Sequence, residues 1–481
     1  MTEKRITVRN RLTLTPASSQ LARRILEETS VKNPVYSDLK KYSPYEIPFW
    51  VKPKIQMSKV LKDGAVSIPR GYDFKAMGGP GGLQAHGFRV IDDTVTAPVD
   101  FPSWEISPND LQIPVLDKLQ RELERPTRLF HNFLLVLPTA TGKTVLAAMA
   151  ASLMGQKTLV LTHRQLVANS WKRDLIKTYG FKESDIGLIQ GSKATIGAQF
   201  TVAYLQTMFK KKLSMLDDLK EEFGTVIFDE CHLAPAKTFH SVVDAWPSKF
   251  RVGLTATPER GDGLDDVIFL TFGVPFVEIK GNVKSDTAQP ITDVVVRNTG
   301  IELEDKYGGT LIQMCDIDKA LQENVERNLM IVEDVKREAM AGHSCLVVCK
   351  RRDHVYALID LLRRAFVHAE PLEGRRSKKQ IAATEQALID RRVKVAVGTI
   401  QLTKVGASIN PLDRLFLAGS IGNKKDTEQI AGRIRRAAPG KTDAVIYDYV
   451  DSNPVLWNHF KRRRRVYASF GLEKFKNMFL T

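Results

Sequence analysis

Between residues 132 and 279, short β-branched runs alternate with longer amphipathic segments, and after a polar break the same rhythm begins again. The runs of the first half are Phe133–Leu137, Thr158–Thr162, Phe200–Val202, Val226–Phe228 and Phe250–Leu254; those of the second are Cys345–Cys349, Lys394–Gly398, Arg414–Ala418 and Ala444–Tyr447. Parallel strands need long crossovers, so strands separated by helix-length segments predict a parallel sheet covered by helices. The interruption near Lys280–Pro290 makes this two α/β domains in tandem. The first hundred residues differ: Pro34, Pro44, Pro48 and Pro53 break any long helix, and Tyr36, Tyr42, Tyr45, Phe49 and Trp50 sit among lysines. A hairpin is predicted where Lys62-Asp63-Gly64 turns into Val66–Tyr72, because Asp-Gly supplies the positive φ of such a turn, and the glycine-rich stretch Met77–Gly87 reads as a loop. With about three domains expected on a prior of ~150 residues each, the boundaries fall at 1–98 for a small α+β or mostly β module, 99–284 for the first α/β domain and 285–481 for the second.

Four strings punctuate this pattern: LPTATGKT at Leu137–Thr144, DECH at Asp229–His232, TAT at Thr255–Thr257 and QIAGRIRR at Gln429–Arg436. The first follows a strand and precedes a helix beginning near Lys143, where backbone N–H groups and a helix N-terminus wrap phosphates. Pro138, Thr139, Ala140, Thr141 and Gly142 form the cradle of an ATP site, Lys143 neutralises the β- and γ-phosphates, and Thr144 holds Mg²⁺. Leu137 stands where such loops usually begin with glycine, and Ala140 places a Cβ at the bend, which calls for a negative φ. Val226–Phe228 delivers Asp229 and Glu230 to the C-terminal edge of the sheet, where open α/β folds bind ligands. Asp229 is placed to hold Mg²⁺ and Glu230 to orient and deprotonate the attacking water. In the second domain Gln429, Gly432, Arg433 and Arg436 keep a Q-x-x-G-R-x-x-R spacing, with both arginines on one helical face. An arginine-rich helix alone suits a solvated or nucleic-acid-binding face. With the other strings present, Gln429, Arg433 and Arg436 join the catalytic set by stabilising charge on the transferring phosphoryl group, which divides the site between two domains.

The net charge of +16 points to a polyanionic partner, nucleic acid before an anionic membrane. No apolar stretch approaches the ~20 residues that span a bilayer, and MTEKRITVRN has charges where a secretory signal is apolar. A cytoplasmic protein is expected. The cysteines Cys231, Cys315, Cys345 and Cys349 are too scattered for a disulfide framework, and CLVVC at Cys345–Cys349 reads as a buried strand rather than a zinc site.

The motifs in this order resemble helicase superfamily 2, the DExH translocases with two RecA-like domains, over about Trp104–Tyr447. The resemblance implies that Gln112 contacts adenine, that Thr162, His163 and Arg164, with Trp171 in the same motif, and Gln206 in TVAYLQTM meet the nucleic-acid backbone, and that His232, Thr255 and Thr257 couple hydrolysis to movement. It also implies that Thr399 and the run Gly406–Asn410 face both nucleic acid and ATP, although Asn410 replaces the usual aspartate. GLTATPERGDGL at Gly253–Leu264 is similar to helicases of the XPB and phage UvsW type, and Val66–Tyr72 looks like the module that precedes the motor there. That group implies a DNA helicase or translocase acting on forks and four-way junctions by fork reversal, branch migration and unwinding. A monomer on DNA, with replication or recombination proteins as further partners, is the expected working form. Lys461, Arg462 and Arg463 in KRRRR, with Arg375, Arg376, Lys378 and Lys379, are candidates for further DNA contacts, and the aromatic N-terminal module for the branch point. The motor motifs alone also admit an RNA helicase or an ATP-gated clamp without processive motion.

Overall fold

The alternating segments of the first half form a sheet in the order Lys193–Thr195, Gly187–Gln190, Phe200–Tyr204, Thr158–Thr162, Thr225–Asp229, Phe250–Thr255, Asn132–Val136 and Pro275–Glu278. In this computed structural model every neighbouring pair is parallel except the outermost one, Lys193–Thr195 with Gly187–Gln190. The residues described are 3–42, 47–48, 51–74, 77–79, 82–125, 130–138, 141–163, 165–210, 218–233, 237–256, 258, 262–279, 293–303, 310, 313–401, 411–434, 441–472 and 476–478. Side chains alternate between two faces, as a strand's period of two demands. Phe133, Leu135, Val160, Ile227 and Val252 enter one core with Leu146, Trp171 and Leu175. Leu134, Val136, Leu159, Val226 and Phe228 enter the opposite core with Trp246, Ile268 and Phe272. Burial on both faces explains why these strands read as continuous apolar runs.

The second half repeats the plan in the order Ala369–Leu372, Val395–Thr399, Cys345–Cys349, Arg414–Leu417, Val445–Ser452, Asp293–Glu302 and Lys476–Met478, parallel throughout. Cys345 and Cys349 lie fully buried within it as free thiols, and burial pushes the Cys349 thiol up to about 12.

The N-terminal residues build a mixed sheet in the order Lys59–Val60, Val66–Ile68, Leu12–Thr15, Arg5–Val8 and Arg89–Asp92. The Asp63-Gly64 turn joins its first two strands, with Gly64 at φ +81°. This sheet has its own core of Ile6, Val8, Leu12, Leu14, Ile25, Val66, Ile68 and Phe74. It is fastened to the first α/β sheet by arginines. Arg70 is buried and donates to the carbonyls of Arg9, Ser248 and Lys249, while buried Arg251 donates to the carbonyl of Asn10. Gly71 has no room for a side chain, since a Cβ there would lie 2.3 Å from the Gly273 nitrogen. The chain divides into two compact units: residues 1–138 with 142–280 form the first, and 281–481 the second, to which 139–141 are also grouped. Among the described residues, no helix is long and apolar enough to cross a membrane.

Candidate ATP site and nucleic-acid edge

Because the strands of the first sheet run parallel, their C-terminal ends share one edge. Leu137 leaves Asn132–Val136 there with its N–H bonded to the Thr255 carbonyl at 2.9 Å, and the helix Lys143–Met154 starts after the loop. Gly142 caps that helix in the left-handed region at φ +72° and ψ +37°, which only glycine adopts without strain. A Cβ at Gly142 would also come within 2.7 Å of Gln112 Nε2. Buried Gln112 binds this turn directly: its Nε2 donates to the Gly142 carbonyl at 3.3 Å and its Oε1 accepts the Asn109 N–H at 3.0 Å. The helix is alanine-rich and ends at Gly155, φ +62°; Lys143 and Thr144, both half-buried, open it at the edge. Pro138, Thr141 and Gly142 belong to the described loop, whereas Thr139 and Ala140 lie outside the described residues.

Two strands away, Thr225–Asp229 brings Asp229 to the same edge. The indole Nε1 of buried Trp171 donates to Asp229 Oδ2 at 2.8 Å. Burial, then the charge of Glu230, pushes the Asp229 carboxyl up to about 6, while Trp171 and Lys143 pull it down. Two adjacent carboxyls with this excess of negative charge suit a divalent cation. Mg²⁺ is commonly held by one or two carboxylates together with substrate phosphates, and the Thr144 hydroxyl with the Asp229 carboxylate is such a donor set. Among the described residues no cluster of three or more His, Cys, Asp or Glu side chains offers an all-protein alternative.

Glu230 leaves the strand with φ +56°, a conformation a side chain enters at a cost of about 1–3 kcal/mol. The turn sets its Oε2 3.1 Å from His232 Nδ1, and the same ring nitrogen lies 3.3 Å from the Thr255 hydroxyl. His232 and Thr255 are both buried. The His232 ring nitrogen therefore lies within 3.3 Å of both the carboxylate beside Asp229 and the hydroxyl at the end of Phe250–Thr255. Thr257 lies outside the described residues.

Beyond Asp229 the strand order continues to Thr158–Thr162 and Phe200–Tyr204, so buried Thr162, half-buried His163 and exposed Gln206 occupy the other half of the edge. Arg164 lies outside the described residues. In the second unit, half-buried Thr399 ends Val395–Thr399, and the helix Lys424–Ile434 carries Gln429 and Arg433, both half-buried, with Gly432 buried. Gly406, Asn410 and Arg436 lie outside the described residues.

The KRRRR run is split by its helix, Pro454–Ser469. Lys461 and Arg462 are exposed, but Arg463 is buried and donates to both carboxylate oxygens of Asp448, at 2.9 and 2.7 Å, and to the Ile421 carbonyl at 2.5 Å. The expectation that Arg463 meets DNA is therefore corrected, because its guanidinium is consumed inside the fold. Leu456, Phe460 and Tyr467 are buried on the same helix, and the four-three-four spacing through Arg463 was the signal available. Arg376 is likewise drawn inward, to Glu370 at 3.2 Å and the Pro371 carbonyl at 2.9 Å. Trp171 is the residue whose part the sequence did not reveal. Its place in a nucleic-acid motif gave no sign of a bond to a carboxylate 58 positions on.

Two largely parallel α/β sheets, with a phosphate-type loop and an acidic pair on one strand edge, give this chain the build of an ATP-hydrolysing helicase, and superfamily 2 is the class it is similar to. The family described as type III restriction enzyme, res subunit, matches residues 105–260. Within the class the chain is similar to phage and XPB helicases. It is 24% identical over 386 residues to the probable helicase D10 of Escherichia phage T5, covering 80% of each chain. It is 26% identical to the DNA 3'-5' helicase XPB of Mycobacterium tuberculosis, over 70% of this chain and 60% of that one. It is 22% identical to the ATP-dependent DNA helicase uvsW of Enterobacteria phage T4, over 66% of this chain and 65% of that one. The solved Saccharomyces cerevisiae Dbp5 bound to RNA and ADP BeF3 superposes with a TM-score of 0.55 at 13% identity, over 78% of this chain and 90% of that one, a likeness of fold.

Proposed function

We propose that this chain is an ATP-dependent DNA helicase or translocase that remodels branched DNA, reversing forks, moving four-way junctions and unwinding duplex. The observation that supports the reading best is the linkage along one edge, from the phosphate loop through Asp229 and Glu230 to His232 and Thr255, beside a half-edge bearing Thr162, His163 and Gln206. The named activities of the XPB and uvsW relatives favour DNA over RNA.

In this mechanism the loop Pro138–Thr144 cradles the phosphates, Lys143 neutralises them, and Gln112 holds the loop while meeting the adenine. When bound, Mg²⁺ supplies charge neutralisation at the phosphate oxygens, held by Thr144 and, through water, Asp229. Glu230 orients the attacking water and takes its proton. His232 passes the change at Glu230 to Thr255 and onward to Thr257. Gln429, Arg433 and Arg436 stabilise charge on the transferring phosphoryl group. Thr162, His163, Arg164, Gln206 and Thr399 grip one strand's backbone without reading its sequence, with Gly406 and Asn410 alongside the nucleotide. The N-terminal module engages the branch point, and the chain works as a monomer with replication or recombination proteins as partners.

The test is ATP-dependent processing of a labelled Holliday junction beside a linear duplex with a single-stranded tail. Preference for the junction is expected, and equal activity on both would remove the branched-DNA part of the reading. Comparing ATPase stimulation by DNA and by RNA tests the choice of nucleic acid. Glu230→Gln should bind ATP and DNA yet fail to unwind, whereas a clamp without processive motion would keep its function.

A further inference from the structure

Trp171 lies six residues into the helix Gln165–Tyr179, about 9 Å from its start at ~1.5 Å per residue. That helix follows Thr158–Thr162 almost at once, so its beginning adjoins Thr162 and His163 on the half-edge assigned to nucleic acid. Its strand pairs directly with Thr225–Asp229, Leu161 standing opposite Phe228. The indole is fully buried, packed in the core formed by Leu135, Leu146, Val160 and Leu175. An indole N–H can only donate, and this one is spent on Asp229 Oδ2 at 2.8 Å. The bond, together with one from the Glu230 backbone N–H, holds the rotation of the carboxyl group that the ATP-site reading gives to Mg²⁺.

We propose that Trp171 is a positioning residue that sets the Asp229 carboxylate for Mg²⁺–nucleotide and links its orientation to occupancy of the nucleic-acid half-edge. The inference rests on the helicase reading above. A strand held at Thr162 and His163 bears on the beginning of the helix; the helix carries Trp171 as part of a packed body, and the indole carries Asp229. Such linkage is reciprocal, so nucleotide with Mg²⁺ must also favour the strand-bound arrangement.

The experiment measures binding of a fluorescent, non-hydrolysable ATP analogue as Mg²⁺ is titrated, with and without a single-stranded oligonucleotide. Trp171→Phe keeps most of the ring volume and removes the donor. Trp246→Phe, in the core on the opposite face of the sheet, is the control for lost packing. Trp171→Phe should raise the Mg²⁺ needed for half-maximal binding on the order of tenfold, the usual effect of losing a group that orients a metal ligand. It should also bring the oligonucleotide's effect on nucleotide affinity close to none, with Trp246→Phe unchanged in both. A wild-type Mg²⁺ dependence and oligonucleotide effect in folded Trp171→Phe overturns the inference alone. A wild type that binds no nucleotide overturns the helicase reading and the inference with it. Should Trp171→Phe not fold, the wild type decides: with its 5 tryptophans labelled at the indole nitrogen, one signal must move on adding Mg²⁺–nucleotide and again on adding oligonucleotide. Unmoved signals overturn the inference.

Discussion

Glu230 combines three properties that seldom occur in one side chain: a left-handed backbone, a carboxylate neighbour, and a buried histidine 3.1 Å from its own carboxylate. Replacing it by glutamine keeps the shape but removes the base proposed for the reaction, so ATP turnover should fall on the order of 10²–10⁴-fold while nucleotide binding persists. Turnover and equilibrium binding, measured on one preparation, check both halves. A second residue-level expectation concerns His354, which burial and then the charge of Arg327 push down to about 3, and whose Nε2 meets Asn328 Oδ1 at 2.8 Å. Its folded value lies below the unfolded one, so its contribution is complete above about pH 6.5 and is lost as pH falls toward 3. Across that window the unfolded chain takes up a proton that the folded chain refuses, about 1.4 kcal/mol per pH unit. Denaturant unfolding of His354→Asn between pH 3 and 7 should show a flatter pH dependence than wild type, with lower stability at pH 7.

The helix Pro454–Ser469 carries two kinds of arginine, separable by their effects. Lys461→Ala and Arg462→Ala should leave stability nearly unchanged and each reduce the salt slope of duplex binding by about 0.9 if that side chain meets a phosphate. Arg463→Ala should cost about 3–5 kcal/mol of stability, because it removes the countercharge of buried Asp448 and leaves it the neutral Tyr467 hydroxyl. Binding measured from low to high salt, together with denaturant midpoints, distinguishes these outcomes. The same helix shows where legibility ends. Its positive charge was readable from the KRRRR run, while its bounds came with the fold. The spacing of Leu456, Phe460 and Tyr467 marks the inward face, but the partner that takes up Arg463 stands 15 residues earlier on a strand, and only packing supplies it. The placing of Lys143, Asp229 and Glu230 at one sheet edge was readable for the opposite reason, since the chemistry proposed for them restricts residue type and strand order restricts place. The Trp171–Asp229 bond was illegible because it joins two motifs that the sequence keeps apart and only the sheet sets side by side.

Across the first unit, chemistry and attachment occupy opposite ends of the same strands. The candidate site gathers at their C-terminal ends, while the N-terminal module is bound at their beginnings through Arg70, Asn10, Ser248, Lys249 and Arg251. Arg70→Ala would orphan three backbone carbonyls, so it should cost about 3 kcal/mol or more, yet leave ATP turnover at low temperature close to wild type. Denaturant unfolding and turnover at 20 °C test the pair of claims. Deleting the whole module would bare Arg251 and should first destabilise the first α/β domain, so point variants on the module's outer surface test the role proposed for it at a branch more cleanly than truncation does. The repeated α/β plan was visible in the sequence as a rhythm. The module's fusion to the motor was not, because it rests on backbone carbonyls, which every residue carries alike. A central strand of five residues is roughly 16 Å long at ~3.3 Å per residue. This unit therefore offers an engineering handle: a label, tether or foreign recognition domain grafted onto the module's outward loops stands a full strand length from the chemistry, so cargo can be exchanged there without rebuilding the engine.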